Sequence, residues 1–382
     1  MQYNVRSLSL KDIERKSLFL FGPRQTGKSL LIAHLFPKAP TYNLLLSDVY
    51  LKFTKNPSLF RQEVLALDPK NCGPIVVDEI QKIPLLLDEI HYLIELKNYK
   101  FILTGSSARK LKHGASNLLG GRALEKKLFP LIYQEIPNYD LLKILNFGAL
   151  PSIYHSPDPE EDLLSYVGTY LKEEVQAEGL VRGIQQFSDF LEKAALSNGE
   201  LLNFANVASD LGVSSKTVSE YFLILQDTLI GNLLKPFNHT KKRKAISKAK
   251  FYYFDIGVTN ILAKRFRVEE ESEVYGKCLE HLIHNEITAY LSYQKDRREL
   301  TFWRSVNGQE VDFIIGKDVA IEVKSSKTIN AKHLKGLNAL SEEIKFKRKI
   351  VISREDQKRI LENNIEVYPV LSFLKALWNN EF

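Results

Sequence analysis

The sequence predicts an α/β protein with three successive parts, and three patterns in its 382 residues indicate this. In the first third, short apolar runs alternate with helical patterns, as in a sheet of parallel strands with helices on both faces. From about residue 140 to residue 235 the pattern is helical. From about residue 250 strand and helix patterns mix again, which predicts a second α/β part.

The strands of the first part are predicted from apolar runs that are each followed by a turn or a polar group. These runs are Leu18–Phe21, Tyr42–Leu46, Ile75–Val77 and Phe101–Leu103. Runs of this length that are apolar on both sides are typical of buried parallel strands. Residues 29–36 and 85–97 have helical periodicity. Together these elements predict a doubly wound domain.

A glycine-rich segment lies between the first strand and the first helix and fits the pattern GxxxxGK[ST]. In this pattern, known as the P-loop, backbone N–H groups point at phosphate oxygens and the next helix adds its positive N-terminus. Lys28 is expected to reach the β- and γ-phosphates, and Ser29 to bind Mg²⁺. The predicted nucleotide site consists of Gly22, Pro23, Arg24, Gln25, Thr26, Gly27, Lys28, Ser29 and Leu30.

Two acidic residues end the third apolar run, at the sheet edge where ligands lie in such folds. Asp78 is expected to bind the same Mg²⁺, and Glu79 to polarise the attacking water. The next strand ends in the sequence TGSS, so Thr104 or Ser106 is a candidate sensor of the γ-phosphate. A hydroxyl that caps a turn explains either residue equally well. ATP is the predicted nucleotide because no [NT]KxD motif for guanine is present.

Arg122 follows two glycines beyond the TGSS segment. An arginine at such a point can neutralise transition-state charge on a phosphate, often from a neighbouring subunit. Arg122 is therefore a candidate catalytic residue and indicates a homo-oligomer, with a surface arginine as the simpler alternative.

Residues 204–225 have the pattern of a helix, a turn and a second helix. Gly212 is expected to end the first helix and Ser214 to cap the second. A helix-turn-helix would bring four residues of the second helix near a nucleic-acid groove, namely Ser215, Lys216, Ser219 and Tyr221. With one cation among them, base reading has little support, and winged helices in ATPases also contact proteins.

A basic run follows the helix-turn-helix. It comprises Lys241, Lys242, Arg243 and Lys244, with Lys248 and Lys250 nearby. Such a run is expected either to contact phosphates as a wing or to form a solvated loop.

Four charged residues of the last part suit metal-assisted phosphodiester hydrolysis. Asp312 lies in a hairpin that turns at Asn307-Gly308, and Glu322 and Lys324 lie in the next strand. Strand alternation turns these three side chains away from their apolar neighbours, so Asp312 and Glu322 can hold Mg²⁺ between them. Lys324 is then expected to steady the charge that develops on phosphate. Glu280 lies on a preceding helix, and charges on the surface of a hairpin are the alternative explanation.

The ordered segments GPRQTGKS, VVDEIQKIP, FILTGSSARKL and GGRALEKKLFPL resemble a family of bacterial and archaeal AAA-type ATPases. The resemblance covers essentially the whole chain. It implies a P-loop NTPase sheet with an additional strand over residues 1–138, with Glu79 as catalytic base and Arg122 as arginine finger. A helical, winged-helix region over 139–250 and a nuclease-like α/β domain over 251–382 are implied to follow.

The carboxylates of the last part resemble the PD-(D/E)xK nuclease superfamily, with Asp312 and Glu322-Val323-Lys324 as the motif. Glu280 matches the helical glutamate of that superfamily, and Val311 departs from it where the motif has proline. The resemblance implies Mg²⁺ as a second cofactor beside ATP. Such domains also occur with nucleic-acid binding alone, so catalysis stays open.

Composition narrows the class of protein and its partners. The net charge of +7 and a pI of about 9.0 favour a polyanionic partner, with DNA preferred over RNA. The two cysteines are far apart and form no zinc motif. No signal peptide is apparent, and no stretch approaches the ~20 apolar residues that span a bilayer, so a cytoplasmic protein without a membrane partner is expected. The predicted function is an ATPase that acts on nucleic acid through the nuclease-like domain. The alternative is a nucleotide-controlled switch that binds DNA or protein and whose nuclease-like domain is inactive.

Overall fold

The computed structural model describes residues 4–69, 71–107, 118–171, 184–240 and 243–382. These residues form two compact units. Unit 1 comprises the described residues up to Pro130 together with Asp227–Ile230, and unit 2 comprises the others.

Unit 1 contains a sheet of five parallel strands in the order β2-β3-β4-β1-β5. The strands are β1 (Ser17–Phe21), β2 (Thr41–Asn43), β3 (Ile75–Asp78), β4 (Phe101–Gly105) and β5 (Ala123–Lys127). All residues of β1 and β4 are buried, as expected for strands with neighbours on both edges and helices on both faces. Because β4 lies between β1 and β3, the strand that enters the P-loop and the strand that ends in Asp78 are not adjacent. The predicted fold class is confirmed.

The helices of unit 1 bury one apolar face each against the sheet. They are α1 (Lys28–Leu35), α2 (Ser47–Lys55), α3 (Ser58–Leu65) and α4 (Leu86–Lys97). Side chains of α2, α3 and α4 form one core with the strands, represented by Phe53, Phe60 and Ile90. Burying aromatic and aliphatic side chains of this size contributes about 1.5–3 kcal/mol each. This core holds the carboxyl ends of β1, β3 and β4 in fixed register.

The first part of unit 2 is helical. Its helices are α5 (Leu141–Phe147), α6 (Pro151–Tyr154), α7 (Pro159–Ser165), α8 (Ile184–Leu196), α9 (Phe204–Leu211) and α10 (Ser215–Asp227), whose last residue belongs to unit 1. Gly212 adopts a left-handed conformation at the end of α9, and Ser214 Oγ accepts a hydrogen bond from the Thr217 N–H at 3.1 Å. The predicted helix, turn and helix are therefore present, with the caps that the sequence indicates.

The second part of unit 2 is built on an eight-stranded mixed sheet in the order β12-β13-β11-β10-β9-β8-β6-β7. Its strands are β6 (Gly231–Pro236), β7 (Lys250–Tyr253), β8 (Leu300–Arg304), β9 (Glu310–Ile315), β10 (Val319–Val323), β11 (Arg348–Ser353), β12 (Arg359–Leu361) and β13 (Ile365–Pro369). Strands β6 and β7 pair with each other, and β6 also pairs with β8. The sheet therefore continues across the predicted boundary at residue 250.

Four helices accompany this sheet: α11 (Ile256–Leu262), α12 (Glu273–Tyr293), α13 (Lys335–Ser341) and α14 (Val370–Trp378). The apolar core between α13 and the strands contains Trp303, Ile314 and Ala320. The predicted hairpin is present as β8 and β9, with Gly308 at a positive φ in its turn. In the described part of the chain no helix has the length and apolarity that a membrane crossing requires.

Two details of the predicted nucleic-acid surface are wrong. The Tyr221 ring is buried against Phe187 and Phe190, because the helix uses it as a core residue. Lys250 is buried as well and pairs with carboxylates of unit 2, so it is not part of a phosphate-contacting loop. Arg243 pairs with Glu342 and Glu343, and residues 241–242 lie outside the described part of the chain.

Candidate functional site

The P-loop links β1 to α1 through backbone conformations that few residues adopt. Gln25 has a φ of 64° and Gly27 a φ of 91°, both in the left-handed region that favours glycine. At Gly22 an added Cβ would lie 2.4 Å from the Leu128 carbonyl oxygen, so only glycine fits there. Pro23 and Thr26 are buried, whereas Ser29 and Leu30 are exposed at the start of α1.

Lys28 is turned back onto the loop in this structure. Its Nζ donates to the carbonyl oxygens of Gly22 at 2.7 Å and Pro23 at 3.1 Å. The hydroxyl of Thr26 also donates to the Pro23 oxygen, at 2.8 Å. The buried ammonium thus has oxygen partners that phosphate oxygens can replace when a nucleotide binds.

A serine and an aspartate meet where α1 begins and β3 ends. Ser29 Oγ donates to Asp78 Oδ2 at 3.1 Å, and the Thr104 hydroxyl of β4 donates to Asp78 Oδ1. Thr104 also accepts from the Glu79 backbone N–H at 3.2 Å. A hydroxyl and a carboxylate side by side are hard oxygen ligands of the kind that Mg²⁺ prefers. Ser29 and Asp78 therefore fit a magnesium ion, and their role as its ligands stays a prediction.

Glu79 follows Asp78 with a φ of 62°, a left-handed conformation that is unusual for a residue other than glycine. Its side chain is buried and its Oε2 accepts a hydrogen bond from the Gln81 amide nitrogen. The same nitrogen lies 3.3 Å from Ser106 Oγ, just beyond β4. The sequence analysis predicted no role for Gln81. Its position two residues after Glu79 is the feature of the sequence that indicates one.

Arg122 lies immediately before β5 and pairs with Glu95 of α4. This pair lowers the pKa of the Glu95 carboxyl below its ordinary value. The guanidinium is about one-third exposed, and its role as an arginine finger stays a prediction.

In unit 2, Asp312 and Glu322 lie at facing positions of β9 and β10. The last regular pair of the two strands is Ile321 with Phe313, and Asp312 Oδ2 accepts from the Val323 N–H at 2.7 Å. Lys324 forms an ion pair with Glu322 Oε1. Glu322 Oε2 is buried and has no hydrogen-bond partner among the described residues. The three side chains that the sequence predicted are therefore together.

Glu280 of α12 joins this cluster through residues that the sequence did not predict. Its Oε1 accepts from the Tyr252 hydroxyl at 2.6 Å and from Lys250 Nζ at 3.0 Å. Lys250 also pairs with Glu310 at 2.6 Å. Glu310 lies two residues before Asp312, so strand alternation indicates it. Lys250 and Tyr252 carry no signal of this kind.

Burial and like charge perturb the carboxylates of this cluster. Burial, with the charge of Glu280, raises the pKa of Asp312 to about 6. Burial and the charge of Asp312 raise the pKa of Glu322 well above its ordinary value. Burial lowers the pKa of the Lys324 ammonium, but the negative charges of Asp312 and Glu322 together have a larger effect. The pKa of Lys324 is therefore raised above its ordinary value. A cation between the two carboxylates would relieve their repulsion.

Family models match three successive segments of the chain. Residues 14–137 match an AAA domain. This chain carries an AAA-type P-loop ATPase domain, and the protein is an ATPase. Residues 138–269 and 275–373 match two families that are each described as a domain of unknown function, DUF8612 and DUF4143.

Individual proteins resemble the chain over most of its length. An uncharacterized protein of Haemophilus influenzae is 23% identical over 352 residues, which cover 82% of this chain and 85% of that protein. The uncharacterized protein MJ1637 of Methanocaldococcus jannaschii is 23% identical over 428 residues, which cover 96% of this chain and 86% of that protein.

Two solved structures also match. The Walker-type ATPase PABY2304 of Pyrococcus abyssi is 14% identical with a TM-score of 0.46, and the match covers 66% of this chain and 92% of that one. A signal transduction ATPase with numerous domains from Pyrococcus horikoshii, which has a tetratricopeptide repeat sensor, is 15% identical with a TM-score of 0.21. That match covers 74% of this chain and 46% of the other.

Arg6 is a residue of the ATPase domain that sequence reasoning missed. Its guanidinium donates to the P-loop carbonyl of Thr26 at 2.6 Å, and to the carbonyls of Phe129 at 2.6 Å and Pro130 at 3.2 Å. It thereby ties the loop to the segment that follows β5. Arg6 is far from these residues in the sequence, and no motif includes it, so the contact could not be predicted.

We expect Arg6→Ala to weaken ATP binding about tenfold, because a net loss of about 1–1.5 kcal/mol follows when hydrogen bonds that hold the loop are removed. Binding of a fluorescent ATP analogue to the purified protein measures this. Lys11→Ala is the control, since Lys11 is an exposed cation of the same N-terminal segment. Equal weakening by both variants would indicate a general charge effect and contradict the prediction.

Proposed function

We propose that ATP turnover in this protein controls a metal-dependent site in unit 2 that cleaves phosphodiester bonds of nucleic acid, with DNA as the favoured substrate. The observation that carries the proposal is the convergence of Asp312, Glu322 and Lys324 across β9 and β10, next to Glu280 of α12.

The fit of a divalent cation is supported by the charge and the hydrogen bonding of this cluster. Glu322 Oε2 is a buried carboxylate oxygen that lacks a partner among the described residues. A buried group of this kind costs about 1–3 kcal/mol unless something satisfies it. The carboxylates of the cluster also outnumber its cations. The carboxylates are Glu280, Glu310, Asp312 and Glu322, and the cations are Lys250, Lys324 and Arg304.

Asp312 and Glu322 would hold Mg²⁺, although the described residues contain no group of three or more side chains with ligating geometry. The ion supplies polarisation of a phosphoryl oxygen and a more acidic bound water. Lys324, which pairs with Glu322 in this structure, would donate to the phosphate oxygen on which charge develops. Tyr252 and Lys250 fix the carboxylate of Glu280 beside the pair. The net charge of +7 suits a polyanionic substrate.

The test is cleavage of plasmid DNA, single-stranded DNA and RNA by the full chain with Mg²⁺ or Mn²⁺, in the presence of ATP, ADP or no nucleotide. We expect cleavage with the metal, a rate that depends on the nucleotide, and a loss of roughly 100-fold in Asp312→Asn. The Asn oxygen can still accept from the Val323 N–H, so the fold is expected to persist. Calorimetric titration with Mn²⁺ is a second measurement, in which Asp312→Asn should lose binding.

Asp318→Asn is the matched control, because Asp318 is a carboxylate between the same two strands and pairs with Lys347 at 2.7 Å on the surface. It should cleave as the wild type does. Nucleotide-dependent DNA binding without cleavage would favour the alternative, a switch whose nuclease-like domain only binds. Equal cleavage by the wild type and Asp312→Asn would exclude catalysis at this site.

A further inference from the structure

The hydroxyl groups of Thr104 and Ser106, at the end of β4 and just beyond it, differ in their hydrogen-bond partners. Thr104 donates to Asp78 and accepts from the Glu79 N–H, so its hydrogen and one lone pair are already used. Ser106 Oγ lies 3.3 Å from the Gln81 amide nitrogen and accepts from it. Among the described residues no acceptor for the Ser106 hydrogen is seen. Of the two hydroxyls, the one on Ser106 is therefore available to donate to a phosphate.

The Gln81 side chain is buried between this serine and the candidate base. Its amide nitrogen donates to Glu79 Oε2 as well as to Ser106, while its Oε1 is buried without a hydrogen-bond partner among the described residues. Leaving an amide oxygen unsatisfied costs about 1–3 kcal/mol. A side chain held at this cost, in contact with the residue that follows Asp78, indicates a role in function.

The glycine of β4 makes this arrangement possible. A Cβ at Gly105 would lie 2.5 Å from Gln81 Oε1, well inside contact distance. The Gln81 side chain is buried and bonded at its nitrogen, so it cannot move away without losing the contact with Glu79 or Ser106. Gly105 is required here for the close approach of a side chain, because its own φ is not in the left-handed region.

We propose that Gln81 is a positioning residue for ATP hydrolysis. It holds the carboxylate of Glu79 and connects it to Ser106, whose hydroxyl reads the γ-phosphate. The γ-phosphate thereby sets the orientation of the base through one amide group.

The experiment compares kcat for ATP hydrolysis with the affinity for a fluorescent, non-hydrolysable ATP analogue in the full chain. For Gln81→Leu we expect kcat to fall at least about tenfold, while the affinity changes by less than about twofold. Gly105→Ala is expected to have the same effect, because it keeps the residue Gln81 but its added methyl group displaces the Gln81 amide. Ser106→Ala should lower kcat as well, and Ser106→Thr should restore it because the hydroxyl is kept.

The double variant Gln81→Leu/Ser106→Ala tests the connection itself. If Gln81 and Ser106 act through the same connection, the kcat of the double variant equals that of the less active single variant. If they act independently, the two reductions in kcat multiply. Gln62→Leu, at an exposed glutamine of α3, is the control and should match the wild type. The proposal is overturned if Gln81→Leu keeps kcat within about threefold, if affinity falls in parallel with kcat, or if the two substitutions act independently.

Discussion

Replacing Glu79 by Gln is expected to lower the ATP turnover of this protein by at least about 100-fold and to leave ATP binding intact. A positioned general base contributes about 10²–10⁴-fold to a proton transfer, and an amide cannot take up the proton of the attacking water. The amide keeps the size of the carboxylate, so the left-handed turn at residue 79 and its contact with Gln81 are expected to persist. Phosphate release and nucleotide affinity, measured on the same preparation, separate the two effects.

Two further variants make this result specific. Asp78→Asn should lose the Mg²⁺ dependence of nucleotide binding, because it removes the carboxylate next to Ser29. Glu63→Gln should behave as the wild type, since Glu63 pairs with Lys52 on the surface of α2 and α3. If Glu79→Gln hydrolyses ATP at the wild-type rate, another group is the base and the assignment is wrong. If it loses affinity in step with turnover, Glu79 has a structural role.

The elements around the nucleotide site follow from local sequence because each buried strand carries an apolar run. Strands β1, β3 and β4 were predicted within one or two residues. Strand β5 was missed, because its sequence ALEKK has no apolar run. It is an edge strand with partly exposed side chains, and it is held by its pairing with β1.

Side chains whose environment depends on distant residues could not be predicted. Tyr221 has the spacing of an exposed recognition helix, yet packing against Phe187 and Phe190 decides its position. Lys250 lies next to a basic run but is neutralised by Glu280 and Glu310, which are far away in sequence. Burying a large ring stabilises the fold, and a buried ammonium requires paired carboxylates, so tertiary contacts override the local pattern at both positions.

The candidate sites divide in the same way. Ser29 and Asp78 could be predicted to meet, because parallel strands bring their carboxyl ends to one edge. Asp312 and Glu322 could be predicted to face each other from strand alternation. Arg6 and Tyr252 reach these sites from distant parts of the chain, and no periodicity or motif marks them.

Two buried histidines of α12 are expected to lower the stability of unit 2 as the pH falls, and His284→Phe is expected to remove about half of their contribution. Burial lowers the pKa of His284 to about 3 and that of His281 to about 4, against an ordinary value of 6.5. Between pH 6.5 and these values the unfolded chain binds protons that the folded chain does not bind. The folded state therefore loses about 1.4 kcal/mol per pH unit for each histidine as the pH falls.

His284 suits this test because phenylalanine can take its place. The imidazole stacks on Tyr252 with ring centroids 4.1 Å apart, and its Nε2 is buried without a partner among the described residues. Phenylalanine keeps the stacked ring and removes the unsatisfied Nε2, but it also removes the hydrogen bond between Nδ1 and Asn285 Oδ1 at 3.0 Å. The free energy of unfolding at pH 7 should therefore change by no more than about 1–2 kcal/mol. Both tryptophans of the chain, Trp303 and Trp378, lie in unit 2, so their fluorescence reports its unfolding.

Urea unfolding at pH 7, 6 and 5 gives the free energy of unfolding for the wild type and the variant. Other buried groups also titrate in this range, among them Asp255, whose pKa burial raises to about 6. These groups contribute equally to both proteins, so the difference between the two slopes isolates His284. We expect the wild type to lose about 1.4 kcal/mol more than His284→Phe for each pH unit below 6.5. His239→Phe, at an exposed position, should keep the wild-type slope. Equal slopes for the wild type and His284→Phe would mean that the folded protein protonates His284 as readily as the unfolded chain does, and that burial does not lower its pKa.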